Sequence, residues 1–392
     1  MPLTILSPQV QEFILQNTNT DVSKLALQKN PFHDVEWTDI LNQIAARQKA
    51  KDKLPTWFES SNIIYPSKVS VEQTSSEITA QYKASLVSGE SLIDLTGGFG
   101  VDDYYFAKTV SKIAHCEMNE QLSQIVAHNI SNMGVNNIQC YTGDSLDTLT
   151  ELKQQWDWIY IDPSRRSDVK GKVFMLKDCL PNVPELLDTY FNYSSNILIK
   201  TAPLLDIAAG LSELHSVKEI YITALNNEVK ELLWHIEKGF TGIPAIHAVN
   251  LSKDGEPEIF TTTVEDEPDV SYSLPQQYLY EPNSAIMKSG AFNDVAKQFN
   301  LYKLHRHTQL YTNHTLIDFP GRKFVINEIV PYGKTEMKKY ATGQKMNITV
   351  RNFPISVEEL RKKWKIKDGG DTYAFFTTDK DNNKLMLICS KA

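Results

Sequence analysis

The sequence predicts an α/β fold: a doubly wound sheet in the middle of the chain, with helices before it and an α+β region after it. Three observations carry that prediction. Between Glu90 and Ile236, short apolar strands alternate with helical segments, the pattern of a sheet covered by helices on both faces. The first of these strands runs into a glycine-rich turn, Thr96-Gly97-Gly98-Phe99-Gly100, where doubly wound sheets bind cofactors. Beyond Gly239, prolines at 257, 268, 275 and 282 break up a β-rich, irregular texture.

Composition sets the outer bounds. The chain has 392 residues, 41% apolar and 22% charged, which excludes a disordered protein. A length of this order suggests roughly two to four compact units. No apolar run reaches the roughly 18 residues of a membrane span, so no membrane partner is expected. The opening Met1-Pro-Leu-Thr-Ile-Leu-Ser-Pro8 lacks the basic stretch of a signal peptide. Cys116, Cys140, Cys179 and Cys389 are widely spread with no Cys-x-x-Cys pair, so a reducing, cytoplasmic location is expected. Net charge is −8, but residues 321–392 hold 15 Lys+Arg against 8 Asp+Glu, a net of +7, which leaves −15 on the first 320 residues. Charge alone separates a basic C-terminal module from an acidic body.

The elements follow in order. Ser7-Pro8 reads as an N-cap with proline at the first helical position, before an apolar stripe of Val10, Phe13 and Ile14. Asp21 caps a second helix through Leu25, and Ile40, Leu41, Ile44 and Ala45 mark a third ending near Leu54-Pro55. Thr74-Ser75-Ser76-Glu77 has capping-box spacing, its helix continuing through Ala80, Tyr82 and Ala84. Seven strands are predicted: Ser91 to Leu95, Ile113 to Glu117, Ile138 to Tyr141, Trp156 to Ile161, Asn196 to Lys200, Lys218 to Thr223 and Leu232 to Ile236. The last two are joined too tightly for a parallel crossover, so they run antiparallel. Acidic Val264-Glu-Asp-Glu-Pro-Asp269 reads as a linker and Ala291 to Phe299 as a helix. The basic module reads β-α-β: Phe324 to Ile329, Met337 to Tyr340 and Asn347 to Arg351. A helix from Ser356 to Trp364 follows, then a hairpin of Tyr373 to Thr377 with Leu385 to Ile388.

The glycine turn carries the chemistry. Gly98-x-Gly100 lacks the third glycine of a dinucleotide site, Asp103 standing in its place. Asp94 closes the strand before the turn, where it would repel a pyrophosphate and favour an ammonium group. Glu117 ends the second strand, where a carboxylate accepts from ribose hydroxyls. Asp144 follows the third strand, within reach of an adenine amino group. A cofactor with a ribose and an ammonium but no phosphate is S-adenosylmethionine. Its expected holders are Asp94, Thr96, Gly97, Gly98, Gly100, Glu117, Asp144 and Asp162. Each acid alone also fits a helix N-cap or a solvated loop.

Five blocks share a further likeness: Glu72-Gln-Thr-Ser-Ser-Glu-Ile-Thr-Ala-Gln-Tyr-Lys83, Asp94-Leu-Thr-Gly-Gly-Phe-Gly-Val-Asp102, Asp162-Pro-Ser-Arg-Arg166, Lys200-Thr-Ala-Pro203 and Asn227-Glu-Val-Lys-Glu231. They resemble class I S-adenosylmethionine-dependent methyltransferases, and more closely a bacterial branch with a C-terminal THUMP-like domain. The similarity spans Arg47 to the C-terminus. It implies an N-terminal helical region (1–68) and a seven-stranded Rossmann-like methyltransferase sheet (69–239). A small ferredoxin-like α+β domain (240–318) and a basic THUMP-like domain (319–392) would follow. THUMP domains belong to RNA-modifying enzymes, so the resemblance implies RNA, tRNA or rRNA, as partner. The THUMP usually precedes its catalytic domain; here the similar module follows.

The acceptor is read at Asp162-Pro163-Ser164-Arg165. Aminomethyltransferases place Asp/Asn-Pro-Pro-aromatic here, the oxygens accepting amine hydrogens and the ring stacking on the base. This chain keeps Asp162-Pro163 and has Ser164-Arg165 in place of the rest. Asp-Pro-x-Arg is nearer to pyrimidine carbon-5 enzymes, which need a cysteine ending the fifth strand. That strand reads Leu198-Ile199-Lys200 without one, and Cys179 nearby reads as a buried thiol. Methylation of a base nitrogen is therefore expected, with Asp162, Pro163 and Arg165 catalytic. Arg165, Arg166 and Lys200 are expected to touch substrate, the alternatives being pairs with acids, Glu228 for Lys200. Arg361, Lys362 and Lys363 beside Trp364 form a basic–aromatic cluster suited to RNA, although a Trp in this setting also packs a helix on a sheet. His305, His307 and His314 lack a carboxylate or cysteine to complete a set, so no metal is expected. Two other functions stay open: methylation of a protein or small molecule, and non-catalytic cofactor binding by an RNA-associated protein.

Overall fold

The computed structural model describes residues 3–165, 175–253, 255–264 and 268–392. Arg166 lies outside the described residues, as do Glu265, Asp266 and Glu267 of the expected linker. Two compact units divide the chain, residues 1–219 with 231–242, and residues 220–230 with 243–392.

Helices open the first unit: α1 (Pro8–Gln16), α2 (Val22–Leu25), α3 (Trp37–Lys53), α4 (Pro55–Glu59), α5 (Lys68–Gln73) and α6 (Glu77–Ser85). Val10, Ile14, Ile40 and Ile44 are buried, as their spacing predicts, and Asp21 caps α2 by accepting from Ser23 N. The expected capping box at Thr74–Glu77 is not formed. Thr74 ends α5, and Ser76 caps α6 by accepting from Thr79 N. Glu77 is buried and accepts instead from Thr56 N (2.6 Å), Thr56 Oγ1 (2.8 Å) and Tyr105 Oη (2.6 Å). Tertiary donors outcompete the local cap because a buried carboxylate needs several partners.

Strand and helix then alternate: β1 (Ser91–Asp94), α7 (Val101–Phe106), β2 (Lys112–Glu117), α8 (Glu120–Asn132), β3 (Ile138–Thr142), α9 (Ser145–Leu152) and β4 (Trp158–Ile161). Two short strands, β5 (Ser164–Arg165) and β6 (Cys179–Leu180), pair antiparallel with each other, followed by α10 (Val183–Tyr190). The series continues through β7 (Asn196–Thr201), α11 (Ile207–Glu213), β8 (Val217–Leu225), β9 (Glu228–Glu237), β10 (Ala245–Leu251) and β11 (Glu258–Thr263). Among the described residues the main sheet has nine strands, in the order β11-β10-β8-β9-β7-β4-β1-β2-β3. This corrects the expected seven. The two further strands are β10 and β11, paired antiparallel from Ala245↔Thr263 to Asn250↔Glu258. An open sheet edge presents unpaired N–H and C=O groups that invite another strand, and a seven-strand count by family likeness takes no account of it.

The second unit holds a seven-stranded sheet in the order β13-β14-β12-β15-β18-β17-β16. Its elements are β12 (Tyr278–Pro282), α12 (Ser284–Ser289), α13 (Phe292–Gln298), β13 (Tyr302–His305), β14 (Thr308–Asn313), β15 (Gly321–Pro331), α14 (Lys334–Tyr340), β16 (Asn347–Arg351), α15 (Val357–Trp364), β17 (Tyr373–Thr378) and β18 (Lys384–Lys391). The long strand β15 pairs with β12 on one side and β18 on the other, joining both modules in one sheet. Trp364 is buried with Met337, Leu360 and Phe376, packing α15 on the sheet. Only His305 lies in β13; His307 falls in the following turn, so the two do not share a strand face. No group of three His, Cys, Asp or Glu side chains among the described residues is arranged to hold a metal. No described helix is long and apolar enough to cross a membrane.

Candidate active site

Register places the site. Strands β2, β1, β4 and β7 are mutually parallel, as are β2 and β3, so their carboxyl ends share one edge. Asp94, Glu117, Asp144, Asp162 and Lys200 therefore meet along that edge. Strand β9 runs antiparallel to β7, and its pair Thr201↔Leu232 brings Glu231 to the same edge.

The glycine turn is held from below. Thr96 donates to Asp94 Oδ1 through N (2.7 Å) and Oγ1 (3.1 Å), and Thr96 Oγ1 accepts from Asp162 N (2.6 Å). Thr96 thus ties the turn to the strand end carrying Asp162. A Cβ on Gly97 would stand 2.1 Å from the His115 ring, so only glycine fits. His115 Nδ1 lies 2.6 Å from Asp103 Oδ2 and both groups are fully buried, which explains an acid where a dinucleotide site has glycine. Asp94 is also buried (2% exposed). Burial holds the Asp94 and Asp103 carboxyls well above the usual range, each aided by a neighbouring carboxylate. Burial lowers the His115 imidazole.

Gly98 (φ +55°) and Gly100 (φ +72°) adopt left-handed conformations. A Cβ on Gly98 meets only Thr96 O at 3.7 Å, so the turn is open on that side. Gly98 N donates to Glu117 Oε2 (3.1 Å), while Glu117 Oε1 accepts from Asn119 N (2.7 Å). Gly98→Arg should leave the fold intact, with at most modest backbone strain, and fill the open side of the turn. Calorimetry with S-adenosylmethionine should then detect no binding; unchanged affinity would remove the turn from the site.

A buried ion network missing from the sequence reading stands beside the turn. Lys83 in α6 is fully buried and donates to both Glu231 oxygens (2.9 and 2.8 Å) and to Ser75 Oγ (3.0 Å); it also pairs with Asp102 Oδ1 (3.2 Å). Asp102 Oδ2 accepts from Tyr160 Oη (2.8 Å) and Ser75 Oγ (3.0 Å). Lys200 pairs with Asp162 Oδ2. The alternative partner Glu228 is instead paired with Lys230 at 2.7 Å. Burial works against the Lys200 ammonium, but Asp162, Asp102 and Glu231 outweigh it and raise its pKa above the usual lysine range. Burial pushes the Asp102 carboxyl up, yet Lys83 and Lys200 outweigh it and hold it below the usual range. Burial dominates at Glu231 and raises it despite both lysines. Lys83 and Glu231 each end a block quoted for the family likeness; only the fold shows that they meet.

The remaining expected residues are placed less closely. Asp144 is exposed and caps α9, accepting from Leu146 N (2.8 Å) and Asp147 N (3.1 Å). Pro163 is buried, and Arg165 pairs in β5 with Cys179 of β6. Cys179 is fully buried, as its thiol reading required. In the second unit Arg361 pairs with Asp368 (2.5 Å), and Lys363 lies 5.5 and 5.2 Å from the Tyr332 and Trp364 ring centroids. Lys362 is exposed on α15.

A sheet ordered β3-β2-β1-β4-β7-β9-β8, with an acid before its glycine turn and another ending β2, is the methyltransferase fold of the class I type. The basic module matches the THUMP domain-like family over residues 321–391, and residues 278–320 match a ferredoxin-like domain family. A crystal structure of a proposed methyltransferase from Porphyromonas gingivalis W83 is 32% identical, covers 98% of each chain and superposes with a TM-score of 0.88. The chain belongs to the family of that protein, so the likeness read from the five blocks holds. An rRNA methylase from Streptococcus thermophilus is 15% identical over 41% of this chain and 93% of its own, with a TM-score of 0.30. M. capricolum TrmK, bound to S-adenosyl-homocysteine, is 14% identical over 45% and 71%, with a TM-score of 0.32. Those two are too remote to carry an argument about function. No curated protein matches the chain.

Proposed function

We propose that the protein is a cytoplasmic S-adenosylmethionine-dependent methyltransferase that methylates a base nitrogen in RNA. The observation that carries this reading is the charge of the strand edge. Asp102, Glu231 and Asp162 face two ammonium groups, Lys83 and Lys200, which leaves a carboxylate in excess. Such an edge suits a cofactor whose sulfonium and ammonium outweigh its one carboxylate, and it disfavours a pyrophosphate. Glu117 would take the ribose hydroxyls, and Met118, 72% exposed next to it, would offer an apolar surface for the adenine. Glycine turn, Asp94 and Thr96 would shape the cradle, and Asp144 would accept from the adenine amino group.

The cofactor would supply an activated methyl group; the chain would position the acceptor, accept hydrogen bonds from its amine and take up the one proton it loses. Asp162 keeps one oxygen on Lys200, leaving the other to accept from an exocyclic amine, with the carbonyl beside Pro163 as second acceptor. Arg165 takes the substrate side of the same loop. A buried Cys179 supports nitrogen over carbon-5 chemistry, since a covalent cysteine must reach the base.

RNA enters through the basic module. Phosphate contacts make affinity fall with salt, with a slope of about −0.7 per contact on single strands. Reversing charge at Arg361, Lys362 and Lys363 should weaken binding to total tRNA and rRNA and flatten its salt dependence, cofactor affinity being unchanged. Labelled-cofactor transfer to RNA but not to total protein is the expected assay result; transfer to protein alone would replace the RNA reading.

A further inference from the structure

The second unit contains an arginine pair arranged around one buried acid. Glu281 in β12 stands directly opposite Arg322 in β15 and is only 3% exposed. Arg322 Nε donates to Glu281 Oε2 at 2.6 Å, and its Nη2 bonds the same oxygen. Arg351, at the end of β16, donates from Nη2 to Glu281 Oε1 at 2.8 Å. One arginine would neutralise the acid. The second leaves a full positive charge, and the two arginine side chains remain 43% and 36% exposed. No other ion-pair partner meets either one among the described residues.

Each guanidinium has five N–H donors, and the carboxylate engages only some of them. Its grip also fixes the plane of each fork in advance, which removes much of the ordering cost of binding a bidentate anion. Thr349 Oγ1, 3.4 Å from Arg322 Nη2, adds a hydroxyl at the same place. The pair sits within residues 321–392, where net charge is +7. We propose that Arg322 and Arg351, oriented by Glu281, clamp a backbone phosphate of the RNA. The clamp rests on the RNA reading above and adds residues outside the Arg361–Lys363 cluster.

The test uses the full chain with Arg322→Gln, Arg351→Gln, the double variant and Glu281→Gln. Each is titrated with total tRNA across a salt series, beside orthophosphate titration, cofactor calorimetry and thermal unfolding. Either arginine change should weaken tRNA binding roughly tenfold and make the salt slope shallower by about 0.7, the value of one phosphate contact. Cofactor affinity should stay at wild type. Glu281→Gln leaves one accepting oxygen and turns an NH2 group toward the other arginine, so one fork loses its anchor. Binding of tRNA should then weaken even though a negative charge is gone, and unchanged or tighter binding would overturn the orienting role of Glu281. If the arginine variants only lower the unfolding temperature and leave the tRNA salt slope alone, the triad is a structural tie and the clamp is wrong. Loss of orthophosphate binding with unaltered tRNA binding would assign the pair to a free anion and overturn the RNA assignment. If the wild-type chain binds no tRNA at all, the RNA reading itself fails and the clamp with it.

Discussion

Lys83→Met should lower the free energy of unfolding by about 3–5 kcal/mol, because it strands buried carboxylates without their cation. Glu231 accepts two bonds from Lys83, and both side chains are almost wholly out of water. Denaturant unfolding measures the loss. Lys83→Met combined with Glu231→Leu should recover only part of it, since Glu231 is then no orphan charge while Asp102 still lacks its Lys83 partner. The pH dependence should change in a defined direction. Asp102 is held below its unfolded value, so its contribution is present above about pH 4 and is lost as pH falls through its folded value. Lys83→Met removes the larger cationic cause and should weaken that acid-side loss. A stability change below 1 kcal/mol would mean that water already reaches the pair.

Asp162→Ala should reduce methyl transfer by roughly 10²–10⁴-fold, the scale for losing a positioned acid–base group, while cofactor affinity stays close to wild type. Its side chain pairs with Lys200 and is 38% exposed, so the truncation reaches the acceptor side of the cleft and leaves the turn in place. Thr96 bonds the Asp162 backbone N–H, which alanine retains. Single-turnover transfer with labelled cofactor separates this from misfolding. Wild-type turnover in Asp162→Ala would show that another group orients the acceptor. Cys179→Ser serves as the control and should remain active; its failure with an intact fold would reopen covalent chemistry.

Much of this was legible in the sequence because it depends on neighbours in the chain. The alternation of apolar strands with helices located β1 to β4 and β7 to β9 within a few residues, since side-chain period follows backbone geometry. The glycine turn declared itself for the same reason: a close backbone approach and two left-handed residues admit few side chains. Ser356 with Glu359 forms a full capping box, a strictly local device, at the start predicted for α15.

Other features depended on groups far apart in sequence. Thr74–Glu77 had the spacing of a cap, yet Glu77 was claimed by Thr56 and Tyr105, 21 and 28 residues away. Asp103 read as a missing glycine, and its partner His115 lies on the next strand. Glu228 was the acid weighed as a partner for Lys200, but the parallel register of β4 and β7 brings Asp162 to it instead.

Acid before the turn, acid ending β2, Asp162-Pro163 and a basic tail were determined by the sequence itself, since each is a residue type at a fixed distance along one chain. Which charges meet was decided only by the tertiary structure. Lys83 and Glu231 are 148 residues apart and bond at 2.8 Å because the antiparallel strand β9 begins at the sheet edge where the parallel strands end, and the last turn of α6 brings Lys83 to it. A buried ammonium is tolerable only where folding delivers carboxylates to it, and no local pattern records that delivery.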